Sequence, residues 1–347
     1  MIRMMICMTM TYKKMKRLRP SYYLVVLMLA LSVSCKSQNF AGGDGSEKKP
    51  YLIENKEQLI MFAEKVNTDS SFSKGRYFAL KKDISFLGDT LFQSIGKSKS
   101  FAFYGCFDGR KHCISNLPEK ATAIFLYNKG IITTLSLKES RLQGNLQASG
   151  ICAFNDSIVE NCANHALIEG KNGEKGGGIA GICVFNTGLI SKCANYGIIT
   201  GKIFNTGGIC SFNQGRIENC LNEGEVSGNT RTGGICGYNK GVIVNCLSLS
   251  GVSGQKETGA ICGSNDNATE MNKETLRLDK IRQIGTIENC FFNTDSCQTD
   301  SVGVSAAQAV VKNVKGLTSS QLQSGTIFND TVNWIEKKNK YPKLKNK

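Results

Sequence analysis

One short pattern recurs six times between Ala123 and Cys290, and its best copy runs from Gly208 to Cys220. Each copy contains one reference asparagine, and successive ones lie 27, 31, 27, 26 and 26 residues apart. These units are too short for paired helices, so each is predicted to consist of strands that stack on the next unit. The chain is therefore predicted to fold as a solenoid. The reference asparagines are Asn128, Asn155, Asn186, Asn213, Asn239 and Asn265.

Branched aliphatic residues and glycines divide each unit into three short segments. An isoleucine stands four positions before every reference asparagine, and further branched residues follow it. Such segments favour strands, and the glycines between them predict corners with positive φ. The pattern predicts an all-β fold, a parallel β-helix, in which equal positions pile up about 4.8 Å apart. The isoleucines are Ile124, Ile151, Ile182, Ile209, Ile235 and Ile261, and the corner glycines include Gly130, Gly188, Gly215 and Gly241.

The segment Gly233 to Cys246 resembles the GLUG repeat of bacterial surface and secreted proteins, which also occurs in immunoglobulin A peptidase-like proteins. Two flanking segments, Phe103 to Leu117 and Trp334 to Leu344, look like the beginning and the end of such domains. The resemblance covers most of the chain from Tyr51 onward. It implies the β-helix and an extracytoplasmic setting, but it carries over no catalytic residue.

The first 34 residues are typical of a lipoprotein signal peptide. Basic residues precede an apolar run from Tyr22 to Val33, which is too short to span a membrane. Cys35 follows a small residue and resembles the cysteine that receives the lipid; ordinary signal cleavage nearby is the alternative. We expect residues 35–50 to form a flexible tether, and the protein to be an outer-membrane lipoprotein that faces either the periplasm or the exterior.

The net charge of +15 falls to +9 after Cys35, because six of the 43 Lys and Arg precede it and the chain has 28 Asp and Glu. This moderate charge and the absence of a recognised motif argue against nucleic acid as a partner. The expected partners are the membrane, through lipid on Cys35, and a glycan or a cell-surface protein. No cofactor is expected.

Both ends of the stack need caps, because a solenoid exposes apolar ends. In the N-terminal cap and first coils, residues 51–118, a helix is predicted from Asn55 to Val66, with Asn55 as its N-cap. The repeat coils are assigned to 119–300. Residues 301–347 are assigned to a C-terminal cap and basic tail, with a short helix near Thr318 and with Trp334 plugging the last coil.

Ten of the fifteen cysteines fall into two columns of the repeat. The chain has two histidines and no Cys-x-x-Cys, so no metal site is expected. Neighbouring coils bring like cysteines within bridging distance, so disulfides are an alternative, but we favour free thiols packed in the interior. The columns are Cys152, Cys183, Cys210, Cys236 and Cys262, and Cys162, Cys193, Cys220, Cys246 and Cys290.

An aromatic residue precedes five of the reference asparagines, and this column is the candidate binding face. Successive side chains of a strand point to opposite faces of the sheet. Strict alternation would therefore place these rings on the same face as the first cysteine column and on the opposite face from the isoleucines. With isoleucine inside, the rings form an exposed apolar ladder suited to a partner or a sugar; an internal stack is the alternative. The column consists of Tyr127, Phe154, Phe185, Phe212 and Tyr238.

The register breaks once, where an insertion at 266–285 is expected to project from the stack as a charged and possibly helical segment.

The only carboxylates that suggest catalysis are Glu160 and Glu218, which share a column about 10 Å apart. No protease or hydrolase motif occurs, so no catalytic residue is assigned. We interpret the chain as a non-catalytic binding or adhesion module at the cell envelope. A structural spacer and a polysaccharide-active enzyme are the alternatives.

Overall fold

The computed structural model describes residues 39–89, 91–171, 177–202, 204–271 and 278–345, with backbone alone at 269–271 and 278–281. The predicted signal peptide and Cys35 lie outside the described residues. From Phe40 onward the described chain forms one compact unit. It is a parallel β-solenoid of about nine turns, as the repeat predicts.

Four parallel sheets form the walls of the solenoid, and the five central turns contribute to all of them. Sheet 1 contains Tyr51–Ile53, Tyr77–Leu80, Ile84–Ser85, Cys106–Asp108, Cys113–Ser115, Ile131–Thr133, Ser136–Lys138, Ile158–Glu160, Ala163–Asn164, Leu189–Ser191, Ala194–Asn195, Arg216–Glu218, Leu221–Asn222, Val242–Val244, Leu247–Ser248, Thr286–Asn293 and Val310–Leu317. Sheet 2 contains Phe125–Asn128, Cys152–Asn155, Cys183–Asn186, Cys210–Asn213, Cys236–Asn239, Cys262–Asn265 and Val302–Ser305. Sheet 3 contains Arg141–Gly144, Leu167–Gly170, Ile199–Gly201, Val226–Ser227 and Val252–Ser253. Sheet 4 contains Gln147–Ser149, Gly178–Ala180, Asn205–Gly207, Thr230–Gly233 and Lys256–Gly259.

The predicted columns stack in register, since Asn155 pairs with Asn186 and Cys152 with Cys183 on neighbouring coils. All six isoleucines of the repeat are fully buried, so the isoleucine column forms the core as expected. Each buried isoleucine contributes about 2 kcal/mol relative to exposure.

The first cysteine column is also fully buried, beside the isoleucines. Strict alternation is wrong here because the backbone bends between the two positions. The N–H groups of Ile151 and Cys152 both donate to the carbonyl of Ile182, at 3.3 and 3.0 Å. Two successive donors on one acceptor turn both side chains toward the interior. The thirteen cysteines in the described part of the chain are free, and twelve of them are buried.

The corner glycines do not have positive φ, contrary to the prediction. They are needed because neighbouring coils approach closely: a Cβ on Gly215 would lie 2.1 Å from the carbonyl oxygen of Gly188. Positive φ occurs instead at the next corner of the repeat, for example at Asn219 with φ 51. Asparagine tolerates this left-handed conformation better than most residues do.

Helix α1, Lys56–Thr68, covers the first coils as predicted. Asn55 is its N-cap, and its Oδ1 accepts from the N–H of Gln58 at 2.9 Å. The buried stripe includes Phe62, whose ring lies 4.5 Å from that of Phe78 in sheet 1.

The flexible tether predicted for 35–50 is wrong for its described part. Ala41 donates to the carbonyl of Leu52 at 2.7 Å, and Leu52 donates back to Gly42 at 2.9 Å. Phe40 also stacks on Tyr51 with ring centroids 4.6 Å apart. One apolar ring and two main-chain hydrogen bonds therefore fix this glycine-rich segment against the first coils.

The stack extends beyond residue 300, the predicted end of the coils. Val302–Ser305 pairs with Cys262–Asn265, and Val310–Leu317 pairs with Thr286–Asn293, both in parallel. The sequence of this last coil does not follow the residue pattern of the repeat, so the pattern does not predict the coil. The short helix α2, Ser319–Leu322, begins after Thr318 with a capping box, as predicted.

Trp334 does not plug the last coil. It stacks on Phe328 at 4.2 Å and packs with Leu221 and Leu247 on the outside of sheet 1. The C-terminal segment, with an antiparallel pair Trp334–Ile335 and Lys343–Leu344, therefore covers a side wall. The outward leucines of sheet 1 supply the apolar surface that it buries.

The insertion at 266–285 leaves the stack as an antiparallel pair, Ala268–Met271 with Leu278–Gln283, and the helical interpretation is wrong. Within the described residues, no helix has the length and apolar character needed to cross a membrane.

Candidate binding face

Five aromatic rings form a continuous column on the outer surface of sheet 2, which we call the ring ladder. Its members are Tyr127, Phe154, Phe185, Phe212 and Tyr238, and each is paired in register with the next. Successive ring centroids are 4.5, 6.3, 4.9 and 5.0 Å apart. All five side chains are half-buried, so the ladder is neither the internal stack nor a fully exposed stripe. Its four steps span roughly 19 Å.

The rings share a strand with the buried cysteines but lie outside the core. Cys152 and Phe154 pair with their counterparts on the next coil, whereas Ala153 between them does not. This irregularity breaks the alternation a second time. Ala153 and Val184 are buried on the outer side, where they pack with Phe154 in a small apolar cluster that is separate from the core.

A groove of about 290 Å³ runs beside the ring ladder, where sheets 4 and 2 meet at an angle. Phe154, Phe185 and Phe212 form one side, and Leu146 and Gln147 contribute to the other. Leu146 is 59% exposed and presents an apolar side chain to the groove. The groove therefore combines flat apolar faces with a few polar groups, as small-ligand sites do.

Charged groups surround the last ring of the ladder. The Tyr238 hydroxyl donates to Asp266 Oδ2 at 2.8 Å, and the Arg231 guanidinium lies 4.2 Å from the ring centroid. Arg231 Nε also donates to Glu257 Oε2 at 2.9 Å. The guanidinium over the ring face is a cation–π contact, which holds Tyr238 in place.

The protonation states at this end follow from the same contacts. Burial, and then the hydrogen bond to Asp266, raise the pKa of Tyr238. Burial acts to raise the pKa of Asp266 too, but the hydrogen bond from Tyr238 and the other groups nearby outweigh it and lower that pKa. Tyr238 is thus a neutral donor and Asp266 a charged acceptor at neutral pH.

The candidate catalytic carboxylates share a column as predicted, because Ser191 pairs with both Glu160 and Glu218. Glu218 forms an ion pair with Arg216 of its own strand. Within the described residues, no group of three or more side chains is arranged to hold a metal ion.

Sequence reasoning did not identify the groove residues Leu146, Gln147 and Asn205, nor Arg231 beside the last ring of the ladder. The sequence around Leu146 does contain a clue. Leu146 is an apolar residue in a short polar connection, where it cannot reach the core, so an exposed apolar side chain is expected there. The sequence gives no comparable clue for Arg231. Its contact with Tyr238 depends on how two different strands of the coil come together, which the repeat pattern does not specify.

No family model matches the chain, and no curated protein matches it. Among solved structures, it is similar to a candidate immunoglobulin A1 protease from Bacteroides ovatus, with a TM-score of 0.60 and 20% identity. The match covers 89% of this chain and 96% of that one. What the two proteins share is the β-helix fold. At this identity the likeness carries no site residue from one chain to the other.

Proposed function

We propose that the protein is an exported lipoprotein, anchored through lipid on Cys35, whose β-helix is a non-catalytic binding module at the cell envelope. The observation that supports binding is the ring ladder beside its groove. A protein normally buries large rings, and five in one half-buried row on the outside are typical of a contact surface.

The proposed ligand is a glycan chain that lies along the ladder. Phe185 and Phe212 stack face to face, so this part of the row offers the apolar edges of its rings, against which the C–H bonds on the flat face of a sugar can pack. A ladder of roughly 19 Å suits an extended ligand with repeated units better than one small molecule. Gln147 and Asn205 line the same groove and offer amide groups to sugar hydroxyls.

The groove itself argues for binding without turnover. Hydrolysis of a glycosidic bond needs two carboxyl groups on either side of it, and the residues that line the groove contribute none. Proteolysis, which the name of the structural neighbour suggests, has no motif in this sequence.

A panel of neutral and acidic polysaccharides tests the proposal, with retention and product release measured in the same incubation. Retention without released oligosaccharide supports the binding module. Released oligosaccharide contradicts it in favour of an enzyme. Neither retention nor release across the panel contradicts it in favour of a structural spacer.

A further inference from the structure

A channel runs along the outer face of sheet 1, and the C-terminal segment fills only one end of it. At the filled end the channel floor is formed by Leu221 and Leu247, which pack against Trp334. In the same row on earlier coils the floor residues are Ala163 and Ser136. There the channel opens into a depression of about 310 Å³.

Three lysines line this depression: Lys111, Lys138 and Lys192. None of them forms an ion pair with a carboxylate in the described part of the chain. The acidic groups near this region are Asp108, which accepts from the hydroxyl of Thr134, Glu160, whose charge acts on Cys162, Asp330, near Lys192, and Glu223, near Tyr196. None of these four lines the depression itself. Three positive charges around one concave surface concentrate a positive potential there and attract anions.

The backbone at the depression departs from the rest of the repeat. The left-handed corner is occupied by Asn161, Asn219, Asn245, Asn289 and Asn313 on five coils, with φ between 50 and 54. At the same corner, Lys192 has φ 54 and Thr134 has φ 51. Lysine and a β-branched residue are less favourable than asparagine in this conformation. Strained positions of this kind concentrate at functional sites.

An aromatic pair stands beside the lysines. His165 stacks on Tyr196 with ring centroids 4.7 Å apart and planes inclined by 18°. Tyr196 remains 39% exposed and lines the depression together with His165. The hydroxyl of Ser136 and the amide of Asn161 line it as well. The depression thus offers positive charge, a flat apolar edge and uncharged hydrogen-bonding groups.

We propose that this depression binds an acidic sugar, with its carboxylate or sulfate held by Lys138 and Lys192 and its ring packed beside His165 and Tyr196. A simple inorganic anion would use the lysines alone and leave the aromatic pair without a role. A neutral sugar would leave the positive charge uncompensated. The site lies on sheet 1, away from the ring ladder on sheet 2, and does not rest on the function proposed for that ladder.

The test uses the full-length lipoprotein in detergent and three oligosaccharide probes. Oligogalacturonate carries only carboxylates, κ-carrageenan oligosaccharide carries only sulfates, and a galacto-oligosaccharide is neutral. Lys192→Asn is the central variant, because asparagine is the repeat's own residue at this corner and keeps the fold. Lys256→Asn is the matched control, since it removes an exposed lysine of sheet 4 that lies outside the depression.

We expect at least one acidic probe to bind and the neutral probe to bind much more weakly. Lys192→Asn should weaken acidic binding by about tenfold, the loss of one charge-assisted contact. Tyr196→Ser should weaken it as well, whereas Lys256→Asn should not. Which acidic probe binds identifies the anion. The proposal is overturned if neither acidic probe binds, or if Lys192→Asn and Lys256→Asn have equal effects.

Discussion

Asn155 donates from its Nδ2 to the Oδ1 of Asn186 across 2.7 Å, although both side chains are fully buried. The same bond joins each reference asparagine to the next, at 2.7 to 2.8 Å, from Asn128 to Asn265. Each amide also binds the main chain at its own turn, as Asn186 Nδ2 does to the carbonyl of Gly188 at 3.0 Å. The ladder therefore fixes both the corner and the register between coils.

Asn186→Ala should lower the free energy of unfolding by about 2–4 kcal/mol, because it removes the buried hydrogen bonds of this amide with Asn155, with Asn213 and with the Gly188 carbonyl. Urea denaturation of the variant measures this. Thr187→Ala, at the exposed next position, should change it by less than about 0.5 kcal/mol. Equal effects of the two variants would contradict a structural role for the ladder.

Gly215→Ala should destabilise the protein by at least about 2 kcal/mol, because the new Cβ would lie 2.1 Å from the Gly188 carbonyl oxygen. Asn219→Gly, at the corner with positive φ, should change stability by less than about 1 kcal/mol. Thermal unfolding of both variants compares the two corners. The opposite ranking would restore the original prediction that glycine serves the backbone angle.

The protein should lose stability above about pH 8.5 under reducing conditions. Burial raises the pKa of Cys152, Cys210 and Cys220 well above the ordinary value. In the unfolded chain these thiols ionise near pH 8.5. Above that pH the unfolded state binds fewer protons than the folded state, so stability falls as pH rises.

The melting temperature measured from pH 7 to 10 tests this effect. Each buried thiol contributes up to about 1.4 kcal/mol per pH unit above pH 8.5 and little below it. The double variant Cys210→Ala and Cys220→Ala should therefore show a shallower decline than the parent. A decline of the same steepness would mean that other groups cause it.

His165 should titrate below the ordinary histidine pKa, because burial and then the charge of Lys138 lower it. NMR titration measures this directly, and His112→Gln assigns the signal, since the chain has two histidines. Lys138→Gln should raise the pKa of His165. A pKa at or above the ordinary value in the parent protein would contradict the geometry of the depression.

Cys35→Ser should move the protein from the detergent phase to the aqueous phase and remove the lipid from its intact mass. Cys106→Ser, which replaces a free thiol of sheet 1, should leave both properties unchanged. If Cys35→Ser still partitions with detergent, the proposed anchor is wrong.

The repeat alone predicts the columns because stacking makes equal positions neighbours, as Cys152 and Cys183 demonstrate. It does not predict which columns face inward. That depends on a bend in which Ile151 and Cys152 share one carbonyl, and no residue letter marks such a bend. The last coil, Val310–Leu317, pairs in parallel with Thr286–Asn293, but its sequence lacks the repeat pattern, so the repeat does not predict it.

For the candidate site, too, the sequence predicts the columns but not the contacts between different parts of a coil. The ring ladder was predictable residue by residue, since its members occupy one column. The groove beside it was not, because Leu146 lies in the bend before sheet 4 and Phe185 lies in sheet 2, so the two meet only when the coil closes. His165 and Tyr196 also lie in one column. The repeat has no fixed residue type at that position, so the pattern does not single out the pair.

The most direct test of the account is calorimetric titration of the glycan that the panel retains, against the variant with Phe154, Phe185 and Phe212 replaced by serine. Val332→Ser is the control, as it removes a 64% exposed apolar side chain from the C-terminal segment. We predict that the triple variant stays folded and binds at least about a hundredfold more weakly, while Val332→Ser binds as the parent does. Unchanged affinity in a folded triple variant would contradict the ring ladder as the binding face.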